Sequence, residues 1–370
     1  MAPNPTREPV PGELLFGTKY RLVRKIGEGG MGTVYQVVKP PEIQGVLKRM
    51  NTDLAKHPKF TQKFLDEVRI LAQLDHPNIV KVYDFDVGKD GVPFYVMELL
   101  VGQTVREVLD IKGTLPPRVA YEVARQLLEA LHCAHTHDVP VVHRDVKPEN
   151  IFLHTPRHGE PTLKLIDFGV IAFLDDDEGG HFSGTIRYAA PEQLLGHPAT
   201  AKSDLYAAGL VLYEMLAGRS PFEHHHPSDD AMVRAHIGEQ PPPVTSFAPW
   251  VPASVEALLE NALAKEAHER PKDALEFCKR LSDLQWAEGP GANNKPTVNM
   301  AAIEPSPAKE RQPSAPDDAK RSDESPDDPD AEPIGVPGVN SLSAYLPWMA
   351  AGFVSALVAL TILHFVLGRG

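Results

Sequence analysis

Between Tyr20 and Val38, apolar and polar residues alternate on either side of a glycine-rich stretch, the pattern of two strands joined by a turn. Val46 to Met50 reads as a short further strand, and Phe94 to Leu99 as another apolar one. Between them the spacing changes. Phe60, Phe64, Val68 and Leu71 recur three or four apart within Lys59 to Leu74, which predicts a helix with one apolar face. From Val119 onward helical spacing dominates, over Val119 to Ala134, Ser203 to Leu216, Val255 to Ala264 and Lys272 to Leu284. A strand-rich first third followed by helices predicts an α+β region over 20–285. It has two lobes, a small β-rich one over about 20–98 and a larger helical one over about 103–285, with a cleft between them. No internal repeat is apparent.

The flanks read differently. Residues 1–19 are a proline-containing lead-in without the apolar run of a cleavable signal. Residues 286–345 are rich in Pro, Ser, Asp and Glu and too polar to build a core, so a disordered linker is expected. Trp348 to Leu367 is 20 residues without a formal charge. As a helix it would be about 30 Å long, the thickness of a bilayer core. Tyr345 and Trp348 stand at its entrance, where amphipathic rings favour the interface. One transmembrane helix over 346–367 is therefore expected, with a tail at 368–370 and no domain beyond it.

Composition adds exclusions. The formal net charge of −13 leaves no basic footprint for nucleic acid, and much of the acidity sits in the linker. The two cysteines, Cys133 and Cys278, show no metal or redox spacing and fit a reducing compartment. The histidine runs 132–143 and 224–226 read as helix-end and loop residues rather than zinc ligands, and Trp250 and Trp286 as packing residues.

The chemistry lies in five places. I-G-E-G-G-M-G-T-V at 26–34 carries glycines at 27, 29 and 32, which let backbone N–H groups approach phosphate oxygens. A strand follows these glycines, which favours a hairpin lid over a dinucleotide-binding turn. Lys48, in the third strand, supplies an ammonium for phosphates, and Glu67, on the predicted helix, a carboxylate to hold it. H-R-D-V-K-P-E-N at 143–150 places a carboxylate (Asp145), an amine (Lys147) and an amide oxygen (Asn150) together. Phosphoryl transfer needs these for the hydroxyl proton, the γ-phosphate and the metal. D-F-G at 167–169 follows an apolar strand and adds Asp167 as a metal-chelating carboxylate.

In these motifs the chain resembles the eukaryotic-type (Hanks-type) serine/threonine protein kinases, most of all their membrane-anchored bacterial members. The resemblance covers roughly 20–285 and implies a bilobal kinase fold. It implies ATP as nucleotide with Mg2+, or Mn2+ in its place. Ile26, Gly27, Glu28, Gly29, Gly30, Met31, Gly32, Thr33 and Val34 would cover the nucleotide. Val46 and Phe152 would enclose the adenine, with Met97 as gatekeeper and Glu98 to Leu100 as the hinge. Lys48 would pair with Glu67, Asp145 would act as base, and Asn150 and Asp167 would ligate the metal. Ala190-Pro191-Glu192 matches the end of the activation segment, Arg270 the partner of that glutamate, and Asp204 the brace of the catalytic loop. Leu71, His143 and Phe168 match the family's apolar stack. Lys147 together with Thr185 resembles the Ser/Thr pattern, the Thr185 hydroxyl bridging Asp145 and Lys147.

The chain departs from the family at two places. Gly45 and Val46 stand where V-A-I-K has valine and alanine, which narrows the adenine ceiling slightly. Between Gly169 and Ala190, Ser183, Thr185 and Tyr188 are the only hydroxyl residues; Gly179 and His181 stand where the family's usual activating threonines would, and a nearby acidic run, Asp175 to Glu178, would neutralise Arg144 in place of a phosphothreonine. The expected protein is a membrane-tethered, cytoplasmic signalling kinase acting on protein Ser and Thr. Autophosphorylation is expected at Thr297, Ser306, Ser314, Ser322 and Ser325, which would recruit phosphopeptide-binding partners to the linker. The competing readings are a nucleotide-binding pseudokinase, against which the complete motif set weighs, and a small-molecule kinase, against which G-T-I-R-Y-A-A-P-E weighs.

Overall fold

The computed structural model describes residues 9–29, 32–156, 160–168, 185–222, 228–284 and 286. The expected linker beyond Trp286, the membrane segment and the tail lie outside the described residues, as do the acidic run and Ser183. No helix among the described residues is long and apolar enough to cross a membrane.

The first third forms a five-stranded antiparallel sheet in the order β1-β2-β3-β5-β4. Its strands are β1 (Arg21–Gly29), β2 (Gly32–Lys39), β3 (Ile43–Met50), β4 (Val82–Val87) and β5 (Pro93–Met97). Alternation along the strands separates two cores. Val46, Met50, Tyr95 and Met97 face the main core, which includes Phe64, Val68 and Leu71 of helix α2 (Pro58–Leu71). This is the helix expected from the spacing. Val37, Leu47, Phe94 and Val96 face the other way into a second core with Leu15 and Tyr20.

That second core changes the reading of the lead-in. Leu15 is fully buried, Phe16 packs edge-on against Tyr35 at 6.0 Å, and Gly12 N donates to Leu22 O at 2.8 Å. The folded body thus begins before Tyr20. The signal was sparse, a single L-L-F among polar residues.

Helix α1 (Thr52–Ala55) precedes α2. The larger lobe opens with β6 (Gly102–Thr104) and α3 (Val105–Lys112), started by a Thr104/Glu107 capping box. Helix α4 (Pro117–His135) follows, and then β7 (Ile151–His154) and β8 (Thr162–Leu165), which with β6 make a three-stranded sheet. Gly102 has φ +143, and a Cβ there would lie 2.0 Å from Leu153 O, so β6 can pair with β7 only through glycine.

Helices α5 (Pro191–Leu194), α6 (Ala201–Ala217), α7 (Asp229–Gly238), α8 (Ala253–Ala262) and α9 (Ala274–Ser282) complete the lobe. Helix α6 is buried on every side from Ser203 to Leu216, a pillar with Thr200 capping its start and left-handed Gly218 its end. Helices α4 and α9 pack around it or one another through their apolar stripes. Trp286 packs on Tyr121 with ring centroids 5.5 Å apart, and Trp250 lies against the main core, as packing residues do.

Candidate active site

The glycine-rich stretch is a hairpin. Gly27 pairs with Val34, Glu28 with Thr33 and Gly29 with Gly32. Gly30 and Met31 lie outside the described residues. Gly32 has φ +150, and a Cβ there would meet Arg49 O at 2.0 Å, which no side chain tolerates. Ile26 is exposed on β1, and Val34 lies against the main core.

Strand β3 runs antiparallel to β5 with Val46 opposite Met97 and Lys48 opposite Tyr95. Both pairs face the cleft side of the sheet. Below Met97 the chain leaves the strand as the Glu98–Leu100 connection. The Glu98 carboxylate accepts from Lys81 N and from Lys164 Nζ, at 2.8 and 2.7 Å. Lys164 lies opposite Phe152 on β8, so this pair ties the connection to the strand that leads into Asp167. Lys164 was not anticipated; a lysine in the apolar run Leu163 to Ile166 was the available signal.

The segment 143–150 is organised from below by α6. Asp204, in its first turn, accepts from His143 N and Arg144 N, both at 2.8 Å, and lies 2.7 Å from His135 Nε2. These bonds hold Arg144 at φ 68, in the left-handed region that costs a non-glycine residue about 1–3 kcal/mol. His143 Nδ1 accepts from Asp145 N, and its Nε2 donates to Ile166 O at 3.0 Å. Its ring packs at a tilt against Phe168 with centroids 4.6 Å apart, and burial holds it below the ordinary histidine range. Phe168 and Leu71 share the main core.

Above this base, Lys147 Nζ reaches Asp145 Oδ2 at 2.7 Å and Thr185 Oγ1 at 3.0 Å. Lys147 is thus the link between Asp145 and Thr185. Asn150 Nδ2 donates to Asp145 O and Oδ2, at 2.8 and 2.9 Å. Its amide oxygen is the end turned away from those bonds. Ile166 N donates to Asn150 O at 2.9 Å, which places the approach to Asp167 beside Asn150.

Lys48 Nζ lies 2.7 Å from Asp167 Oδ1. The expected partner, Glu67, is not in this pair. Its Oε2 is buried without a hydrogen-bond partner, and burial pushes its carboxyl up to about 9, with Arg144 and Lys63 pulling the other way. A neutral Glu67 offers an ammonium little, whereas the charge of Asp167 requires a partner. Burial opposes ionisation of Asp167, but Lys48 outweighs it and holds the carboxyl below its usual range. Burial likewise opposes the charge on Lys48, and the Asp167 carboxylate overcomes it. Tyr95 was not anticipated either: its hydroxyl lies 3.5 Å from Asp167 Oδ1.

Farther down, Glu192 and Arg270 form a two-pronged pair with both N–O distances 2.8 Å. Ser203 donates to Glu192 Oε1 at 2.6 Å, and the remaining guanidinium donors reach the carbonyls of Lys202, Ala264 and Lys265.

Among the described residues no three His, Cys, Asp or Glu side chains form a metal cluster. Asn150 and Asp167 offer one amide oxygen and one ionised carboxylate. That donor set fits Mg2+, which takes few protein ligands alongside waters and phosphate oxygens. The protein kinase domain family matches residues 20–286. The chain belongs to that family. It is similar to the serine/threonine-protein kinase PrkC of Bacillus subtilis, 35% identical over 69% of this chain and 39% of that protein. With pkn3 of Myxococcus xanthus it shares 35% over 79% of this chain and 55% of that protein. The chain therefore spans roughly two fifths to a half of these relatives. The crystal structure of the Mycobacterium tuberculosis PknI kinase domain superposes with a TM-score of 0.57 at 26% identity, over 73% of this chain and 99% of that one. The kinase fold expected of 20–285, with a β-rich small lobe and a helical large lobe, is the one found.

Proposed function

We propose that this chain is a serine/threonine protein kinase that transfers the γ-phosphoryl group of ATP to protein hydroxyls. One observation carries this reading: Thr185, Lys147, Asp145 and Asn150 are joined in that order by a chain of polar contacts, beside the Lys48–Asp167 pair. In this reading the 26–34 hairpin covers the phosphates, Val46, Met97 and Phe152 enclose the adenine, and the Glu98 to Leu100 backbone faces its edge.

Asp145 Oδ2 is occupied by Lys147 and Asn150, which leaves Oδ1 to take the proton of the substrate hydroxyl. Lys147, fixed between Asp145 and Thr185, places its ammonium toward the γ-phosphate as charge builds there. Lys48 turns from Asp167 to the α and β phosphates, where Glu67 would steady it. Asn150 and Asp167 would hold a magnesium ion, whose charge would offset that of the phosphates. Thr185 narrows the acceptor site to a short aliphatic hydroxyl.

The test is transfer from γ-labelled ATP by the purified full chain to Ser-, Thr- and Tyr-containing peptides, beside Asp145→Asn. Label on Ser and Thr peptides that falls at least 100-fold in the variant is expected, the scale on which removing a positioned proton acceptor acts. Nucleotide binding without transfer in either protein would instead support a pseudokinase.

We further propose that 346–367 is a membrane anchor and 286–345 a tether. Its reach, about 40 Å from 5–6 Å times the square root of its length, would let a cytoplasmic kinase domain search a zone beside the membrane. The hydroxyls at 297, 306, 314, 322 and 325 are candidate autophosphorylation sites that would recruit phosphopeptide-binding partners. The support is the uncharged 20-residue run and the polar composition before it. Extraction by detergent but not by alkaline carbonate, lost on truncation at 345, is the expected result.

A further inference from the structure

Tyr95 is a phenol where the sheet needs only an apolar ring. It is buried to 4% exposure on the inner face of β5, directly across the ladder from Lys48. Its ring packs on Phe64 of α2 at 5.9 Å, which phenylalanine would do as well. The hydroxyl is the part that packing does not explain, and a buried hydroxyl is costly unless it is bonded. It lies 3.5 Å from Asp167 Oδ1 and beside the Lys48 ammonium, so it can donate to the carboxylate and accept from the amine. Tyr95 therefore touches three parts of the site at once: α2 through Phe64, the ammonium and the carboxylate.

We propose that the Tyr95 hydroxyl is a positioning group that holds Asp167 on Lys48, so that a metal nucleotide must displace this three-membered cluster in order to bind. The inference rests on the reading of Asp167 as a metal ligand. When Asp167 turns to a metal and Lys48 to phosphates, the bonds to Tyr95 are loosened. The hydroxyl therefore favours the arrangement observed over the loaded one. Removing it while keeping the ring should make loading easier, the opposite of what damaged packing would do.

The experiment compares the full chain with Tyr95→Phe and Asp167→Asn, using calorimetric titration with Mg·ADP and thermal melting without nucleotide. Tyr95→Phe is expected to bind Mg·ADP about threefold tighter, toward the lower end of what a typical single hydrogen bond contributes, since the contact is long. Its KM for Mg·ATP should fall by the same factor, with kcat changed less than twofold. Its nucleotide-free melting point should stay within a few degrees of the parent. Equal or weaker Mg·ADP binding by Tyr95→Phe overturns the proposal and leaves Tyr95 as a packing residue. If Asp167→Asn binds Mg·ADP as tightly as the parent, the reading of the metal site fails, and this inference falls with it.

Discussion

The Lys48 ammonium is bonded to Asp167 at 2.7 Å, across 119 residues of sequence, and both side chains are largely shielded from water. Removing one partner leaves the other charge in a poor environment, which costs more than the pair contributes. Lys48→Met should lower unfolding stability by about 2 kcal/mol, below the usual range for deeply buried pairs because Asp167 retains some exposure. Adding Asp167→Asn should recover much of that loss. Urea unfolding of both variants, arranged as a double-mutant cycle, measures the coupling. Strictly additive losses would show that the bond carries no weight.

Glu67 gives a pH dependence. Its carboxyl is pushed up to about 9 by burial, against the pull of Arg144 and Lys63. A glutamate in the unfolded chain titrates near 4.3, approximately. Between these values the folded chain holds a proton that the unfolded chain has released. Stability from this group is thus full below the lower value and is lost as pH rises toward the upper one. Glutamine copies the neutral form. Glu67→Gln should be more stable than the parent by about 1–2 kcal/mol at pH 8, with the gap closing toward pH 5. Urea midpoints across that range, without nucleotide, test it. A constant gap would refute the burial of Glu67 as a neutral acid.

How much of this was legible in the sequence depended on whether a residue acts through local spacing or through a partner far away. The helix over Pro58–Leu71 was legible from Phe64, Val68 and Leu71, because an apolar stripe is a local signal. The long helix at Pro117–His135 was legible for the same reason, and the one at Ala201–Ala217 from a long apolar run, since it is buried on every side. Leu15 was not, because one buried leucine in a polar segment has no period to read. The grouping of Asp145, Lys147 and Asn150 was written into a single loop. Tyr95 and Lys164 were hidden because their roles depend on which side of a strand faces Asp167 or Glu98, and β5 is so uniformly apolar that a tyrosine there reads as ordinary core. The pairing of Lys48 was harder still. Two carboxylates compete for one ammonium, and the sequence carries both.

Arg270 and Glu192 make the strongest structural prediction. The guanidinium is buried, and its donors are matched: two bonds go to the carboxylate and three to carbonyls. Arg270→Met would leave Glu192 facing apolar surface with Ser203 as a remaining partner. Stability should fall by about 3–4 kcal/mol, as for breaking a buried pair from one side. Arg270→Lys should recover little, since a point charge cannot reproduce the fork. Unfolding midpoints of the two variants decide it, and near-parental stability of the lysine variant would show that the fork is dispensable.

Asp204 makes a prediction about turnover rather than binding. Its two oxygens accept three bonds, from His143 N, Arg144 N and His135 Nε2. Asparagine of the same shape replaces one acceptor by a donor, which then faces another donor. The loop loses the tie that holds Arg144 at φ 68, and Asp145, the next residue, loses its fixed place. Displacement of a reacting group by about 1 Å can cost on the order of 100-fold in rate. The nucleotide contacts proposed above lie on β1 to β3, β5, the Glu98 connection and β7, none of which is bonded to Asp204. Asp204→Asn should therefore lower kcat by about 100-fold while the KM for Mg·ATP stays within about twofold. Calorimetric Mg·ADP binding should be unchanged, which separates a misplaced loop from a collapsed site. A parallel loss of nucleotide affinity would mean that α6 supports the cleft as a whole and that Asp204 has no special hold on the loop.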